Sequence, residues 1–257
     1  MKIKSFYFLN KNMTKFQIAS DLHIEAYDKN PVCEDFIDPN CDILILAGDI
    51  GRITRFDQIK SFLFSVCPRF KIVLYVPGNQ EYYRVENMEE YSFDEINLKL
   101  TELQKEIKNL YILNQKMVII NDVCIVGCTL WSEAMITLPE FIVKIPSMNT
   151  RRYNKLHFEA VKFLKKAITY SKFKKLKLLV ITHHCPSYSF LQFRSRFSSL
   201  YASNLDYLFF ENIHTWIFGH THENHDKFIN KIRFVTNQKG KGKNMANNFL
   251  KNKIIEV

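Results

Sequence analysis

Five short pieces of the chain carry side chains that can hold divalent metal: Asp21-Leu22-His23, Gly48-Asp49, Gly78-Asn79-Gln80-Glu81, His183-His184 and Gly219-His220-Thr221-His222. Carboxylate, carboxamide and imidazole are donors that first-row divalent ions accept, and no thiolate stands among them. Such a set suits Mn, Fe or Zn without choosing between them. Two ions about 3.5–4 Å apart need a bridging carboxylate, donors on both sides, and open positions for water and substrate. Asp21, His23 and His222 can hold one ion, Asn79, His183 and His220 the other, and Asp49 can bridge. Asp21 and His23 are two residues apart, as are His220 and His222. On extended backbone that spacing turns each pair to one side. Each piece alone is common by chance; their order and a ligand list that closes chemically carry the reading.

Several apolar runs end at these pieces. Phe16–Ala19 leads into Asp21, Asp42–Ala47 into Gly48-Asp49, Lys71–Val76 into Pro77-Gly78-Asn79, Leu178–Ile181 into His183, and Thr215–Phe218 into Gly219-His220. Runs of this kind, bounded by Gly or Pro, predict strands buried on both faces. The ligands then sit at strand C-terminal ends, where loops from neighbouring strands converge. Helical spacing of apolar residues marks about Phe56–Cys67, Phe93–Lys108 and Arg152–Tyr170. Lys116–Ile120 and Val123–Cys128, joined by Asn121-Asp122, predict a hairpin with a two-residue turn. Ile232–Thr236 and Ile254–Val257 add late strands, which makes two packed sheets rather than one. The fold class is therefore α/β, with two mixed β-sheets forming a sandwich flanked by helices.

The 257 residues, 47% of them hydrophobic, suffice for a large core, and no linker or repeat divides them. Met13 is as good a beginning as Met1, so 1–12 reads as an N-terminal extension and 13–257 as a single domain. The net charge of +10 would favour polyanions, nucleic acid included. Much of it is local: Lys162, Lys165, Lys166, Lys172, Lys174, Lys175 and Lys177 crowd one segment, and Lys239, Lys241, Lys243, Lys251 and Lys253 the tail. With no interleaved aromatic residues in a binding module, a solvated helix face is the better reading. The six cysteines form no Cys-x-x-Cys pair and follow no secretory leader, so they read as reduced thiols of a soluble, cytoplasmic protein. No apolar run reaches the roughly 18 residues of a membrane span.

The ordered set resembles the calcineurin-like metallophosphoesterase superfamily, whose pattern is Asp-x-His, Gly-Asp, Gly-Asn-His-Glu/Asp, a histidine after a strand, and Gly-His-x-His. The match spans positions 21 to 222, and Val76-Pro77-Gly78-Asn79 and Phe218-Gly219-His220-Thr221-His222 follow it closely. The resemblance implies a four-layer fold of helices around a β-sandwich, two divalent metal ions, and hydrolysis of phosphate esters or anhydrides by a metal-bridging hydroxide. It also implies that His183, which directly follows its strand, is the ligand, leaving His184 a supporting, substrate-facing or structural role. A phosphorylated small molecule or nucleotide is the expected substrate, a nuclease acting on phosphodiester bonds the nearest rival, and a metal-containing binding protein the rival of another class.

Gln80 departs from the pattern. The family's histidine beside Asn79 protonates the leaving oxygen or stabilises the transition state, whereas glutamine donates a hydrogen bond and cannot transfer a proton near neutral pH. General acid catalysis contributes about 10²–10⁴-fold, felt most with poor leaving groups. Three readings stay open: a natural variant for leaving groups that need little protonation, an engineered inactive form, and a binding protein that keeps its metals. Branches resembling UDP-diacylglucosamine pyrophosphatases also lack that histidine. Substrate-facing candidates lie in the long connections 132–150 and 186–204, where Arg194 and Arg196 read either as a phosphate clamp or as ordinary surface charge and edge packing. Tyr82, Tyr83 and Arg84 follow the Asn79 piece, and 237–242 could form a mobile lip.

Overall fold

Leu44 and Leu46 face one way from their strand, and Ile43, Ile45 and Ala47 face the other; this division runs through the whole molecule. The computed structural model describes residues 4–6, 13–85, 90–242 and 244–257. Its strands are β1 (Lys4–Phe6), β2 (Lys15–Ala19), β3 (Ile43–Ala47), β4 (Ile72–Val76), β5 (Leu110–Ile112), β6 (Lys116–Ile120), β7 (Val123–Cys128), β8 (Lys177–Thr182), β9 (Ile213–Ile217), β10 (Asp226–Ile229), β11 (Ile232–Val235), β12 (Gly240–Lys241), β13 (Asn244–Met245) and β14 (Ile254–Glu256). The helices are α1 (Cys33–Phe36), α2 (Phe56–Val66), α3 (Phe93–Glu106) and α4 (Thr150–Lys174).

One sheet has five strands in the order β14-β2-β3-β4-β5, and the other seven in the order β1-β6-β7-β8-β9-β11-β10. Both are mixed: β2, β3, β4 and β5 run parallel with β14 antiparallel, and β7, β8, β9 and β11 run parallel with antiparallel neighbours β6 and β10. Alternate residues of the two sheets meet in one core. Phe16, Ile18, Ile45 and Leu74 from the first pack with Ile125, Leu179, Ile181 and Ile217 from the second. The opposite face of the five-stranded sheet buries Leu44, Leu46, Val73 and Tyr75 against Phe62 of α2 and Leu100 of α3. The opposite face of the seven-stranded sheet buries Cys124, Val126, Leu178 and Val180 against Ala160, Leu164 and Ala167 of α4. Helix, sheet, sheet and helix thus form four layers, as the resemblance implies.

The expected strands and helices are present, with ends unmoved or moved by up to four residues. The Asn121-Asp122 turn is also present, with Ile120 opposite Val123. Helix ends follow their caps: Ser92 Oγ accepts from Glu95 N, and Asn149 Oδ1 accepts from Arg152 N, each satisfying a first-turn donor. Sequence periodicity did not single out β5 and β10, which have three and four residues; β10 is largely exposed and has no buried face to mark it. Of the expected N-terminal extension, Lys4–Phe6 pairs parallel with β6 at the sheet edge, and 1–3 and 7–12 lie outside the described residues. The lysines of α4 are on its exposed face, and those at its end lead into the N-terminal end of β8, away from the strand ends that carry the ligands. Among the described residues no helix is long and apolar enough to cross a membrane.

Candidate metal centre

Every expected ligand follows the C-terminal end of a strand. Asp21 and His23 leave β2, Asp49 leaves β3 and Asn79 leaves β4, all in the five-stranded sheet; His183 leaves β8 and His220 and His222 leave β9, in the seven-stranded sheet. The structure gathers them into two groups, Asp21 with His23 and His222, and Asp49 with His183 and His220, the ligand atoms of each lying within 4.8 Å of one another. Asp49 faces both groups, with Oδ1 at 3.2 Å from His183 Nε2 and Oδ2 at 3.9 Å from His23 Nε2. Asn79 Oδ1 is 2.9 Å from His183 Nε2, so it joins the second group.

The convergence does not come from strand alternation. Asp21, His23, Asp49, His220 and His222 all have left-handed backbone, with φ of 54°, 50°, 53°, 71° and 55°. The side-by-side placement expected from extended backbone is therefore corrected: the chain curls at each ligand and aims it inward. Left-handed backbone at residues with a Cβ costs about 1–3 kcal/mol apiece and persists where the surroundings impose it. Two motif glycines show how tightly the pieces nest. A Cβ on Gly78 would lie 2.2 Å from Asp49 Oδ1, and one on Gly48 would lie 2.3 Å from His183 Nδ1.

Backbone carbonyls and a carboxylate fix which imidazole nitrogens remain as donors to metal. His183 Nδ1 donates to Ala47 O at 3.0 Å, His220 Nε2 to Leu200 O at 3.2 Å, and His23 Nδ1 to Glu25 Oε1 at 3.2 Å. The opposite nitrogens of His183 and His220 then face one another, with Nε2 of the first 3.2 Å from Nδ1 of the second, and His23 Nε2 lies 3.1 Å from His222 Nε2. Imidazole nitrogens this close to one another beside buried carboxylates need a cation among them, a proton or a metal ion. Burial opposes charge on both Asp21 and Asp49, yet the surrounding histidines hold each below the ordinary carboxylate range. Burial also opposes charge on His183, but Asp49 and Asp21 outweigh it and raise its pKa to about 9. Burial and His183 together lower His220 to about 4. The donor set and its charge fit two divalent cations.

Several supporting residues carry no sequence signal of their own. Buried Glu25 orients His23 and pairs with Lys241 Nζ at 3.0 Å. Glu81, by contrast the last residue of the Asn79 piece, accepts from Asp49 N, Ile50 N, Gly78 N and Tyr75 Oη, tying two ligand loops together. Gln238 Oε1 accepts from His222 N, and Lys239 N and Gly240 N donate to the carbonyls of Ser20 and Asp21. Asn237 and Gln238 are buried, so this part of the expected lip is a brace instead, while Lys241 reaches the cleft.

The cleft over the ligands has a volume of about 420 Å³. Tyr83, Ile142, Val143, Leu200 and Tyr201 supply its apolar wall, so both long connections form rims as expected. Gln80 lines it, and its Oε1 accepts from Arg52 Nε at 3.2 Å. His184 also lines it, fully buried, with Nδ1 on Thr129 O, Nε2 3.2 Å from Tyr153 Oη, and its ring centroid 4.2 Å from that of His220. Burial, with His220 and His183 nearby, holds its pKa well below the ordinary value. Arg194 and Arg196 do not line the cleft; they lie over the rings of Tyr188 and Phe197. Tyr82 faces the core, stacked on Phe93, rather than substrate.

A sequence profile described as calcineurin-like phosphoesterase matches residues 14–243. An uncharacterized protein of Acanthamoeba polyphaga mimivirus is 29% identical over 89% of this chain and 91% of its own length. Among solved structures, a phosphopantetheinyl hydrolase (PptH) from Mycobacterium tuberculosis superposes with a TM-score of 0.66 at 19% identity, over 89% of this chain and 90% of that one. At that identity the likeness is one of fold.

Proposed function

The chain belongs to the calcineurin-like phosphoesterase family of metal-dependent phosphoesterases, and we propose that it is a two-metal phosphohydrolase of small phosphorylated molecules or nucleotides. The observation that carries this reading is Asp49, whose two oxygens face separate donor groups. Asp21, His23 and His222 would hold one ion, Asn79, His183 and His220 the other, with Asp49 between them. Ions of this kind supply an activated water nucleophile and neutralise charge on the phosphoryl group. The chain's own residues do the rest. Glu25 and the carbonyls of Ala47 and Leu200 keep the histidine tautomers fixed. Tyr83, Ile142 and Tyr201 exclude water from one side of the cleft and offer an apolar seat for the organic part of a substrate.

Arg52 takes the carbonyl end of the Gln80 amide, which leaves the NH₂ end as the group Gln80 can offer a phosphoryl or leaving oxygen. It hydrogen-bonds there without transferring a proton, so leaving groups that depart as stable anions are favoured. The test compares the parent with Gln80→His on an aryl and an alkyl phosphodiester at equal Mn²⁺. Activity of the parent on the aryl ester, with the alkyl ester gaining at least about tenfold more from the substitution, is expected. An unchanged ratio refutes the leaving-group assignment. No turnover by either protein, with two metals still bound by calorimetry, would make it a metal-containing binding protein.

A further inference from the structure

Beyond Gln80 lies a second cleft of about 760 Å³, lined by Arg52, Arg84, Val85, Glu140, Phe141 and Lys144. It adjoins the metal cleft at two places. Arg52 donates from Nε to Gln80, which lines the metal cleft, and Ile142 and Val143 line that cleft while Phe141 and Lys144 beside them line this one. Two further contacts join its cationic residues. Arg52 Nη1 donates to Arg84 O at 3.4 Å, and Arg84 N donates to Lys144 O at 2.8 Å, so one side-chain bond and one backbone bond bring the three residues around one hollow. Glu140 lines the same hollow, and Glu90 pairs with Arg84 Nη1 at 3.2 Å, which among the described residues leaves three positive charges to two negative.

We infer that this cleft binds a second anionic group of the substrate, a phosphate or carboxylate carried on the arm that extends past Gln80. The inference rests on the phosphohydrolase reading for the position of the reacting phosphate. A guanidinium held in one plane presents paired donors to an oxyanion, and Lys144 adds a point charge to the same hollow. Phe141 and Val85 give the carbon linker between the two anions an apolar wall. A substrate with one phosphate would use the metals alone; one with two would use both clefts.

The experiment is calorimetry on the Mn²⁺-loaded full chain with propyl and hexyl phosphate, and with the bisphosphates of propanediol and hexanediol. For at least one linker length the parent should bind the bisphosphate about tenfold or more tightly than the matching monophosphate. Arg84→Ala and Lys144→Ala should each lower that ratio about two- to fivefold. Lys144→Arg should keep it, and Glu140→Gln should raise it, a gain that misfolding cannot imitate. A ratio near one in the parent, or the same ratio in both alanine variants, overturns the inference. Turnover of an aryl phosphodiester that carries no anionic group besides its phosphate is read in parallel. Turnover with a ratio of one refutes the second anion site alone, whereas a retained ratio without turnover refutes the hydrolase reading and leaves the anion site standing.

Discussion

Gly78→Ala adds one methyl group and should disable the metal centre. Gly78 does not have left-handed backbone, so alanine meets no conformational penalty there and the effect is steric. Its Cβ would lie 2.2 Å from Asp49 Oδ1, 2.5 Å from Asp49 N and 2.8 Å from His183 Cε1. Relief requires Asp49 to retreat by about 1 Å, against a tolerance of about 0.2 Å in metal–ligand distance. Asp49 N is held by Glu81 Oε2 at 3.1 Å, so the loop cannot yield without giving up a buried hydrogen bond. Overpacking of this kind costs roughly 1–3 kcal/mol, which for a chain of this size is about 2–12 °C in Tm. The larger effect falls on metal, because the displaced carboxylate serves both donor groups. Thermal unfolding with chelator reads the first quantity and Mn²⁺ titration by calorimetry the second. Gly242→Ala is the control: Gly242 has φ of 56°, and among the described residues no atom lies within 4 Å of where the added methyl would sit. That substitution should cost about 1 kcal/mol and leave metal binding alone. Parent-like affinity and Tm in Gly78→Ala would refute the steric argument.

Glu25→Gln should weaken Mn²⁺ binding about 10–100-fold, because His23 loses the carboxylate that fixes its tautomer; competition against a fluorescent chelator measures this. Asp49→Asn should lower the bound metal from two ions to one or none, read by elemental analysis after dialysis, and two retained ions would contradict its bridging place. Arg233 and Lys253 hold the Asp226 carboxyl down at about 2, below its unfolded value of 3.8. The stabilisation from this pair is therefore present above about pH 4 and fades as pH falls toward 2. Asp226→Asn should remove that acid-sensitive part, visible as a shallower loss of Tm between about pH 4 and 2 at low salt.

The ligands were legible because each ends an apolar run, and a buried strand announces its own C-terminal end. The sandwich was legible because residues such as Ile43, Leu44, Ile45 and Leu46 leave no polar face, which requires a cover on both sides. What stayed hidden acts across the chain rather than along it. Arg52 and Gln238 gain their roles from partners brought near by folding, Gln80 in the case of Arg52 and His222 in that of Gln238, and no spacing encodes such a meeting. The left-handed turns at Asp21 and His220 were equally silent, since neither residue type signals that conformation as glycine would. Arg194 and Arg196 left two readings open, a phosphate clamp or ordinary surface packing, and the fold laid them on Tyr188 and Phe197.

Each donor group draws from both sheets, Asp21 and His23 meeting His222 across the sandwich, and Asp49 meeting His183 and His220. An ion in either place would act as a cross-link between residues as far apart in the chain as His23 and His222, separated by 199 positions. Closing so long a loop is entropically costly for the unfolded chain, and a bond that exists only when both sheets are in place joins their fates. Without metal, the two sheets are joined at that end by their apolar interface and by a few hydrogen bonds such as His183 Nδ1 to Ala47 O and His220 N to Asp21 Oδ1, and can part there first. With it, they should open together, so that a chelator changes how the molecule comes apart as well as how readily.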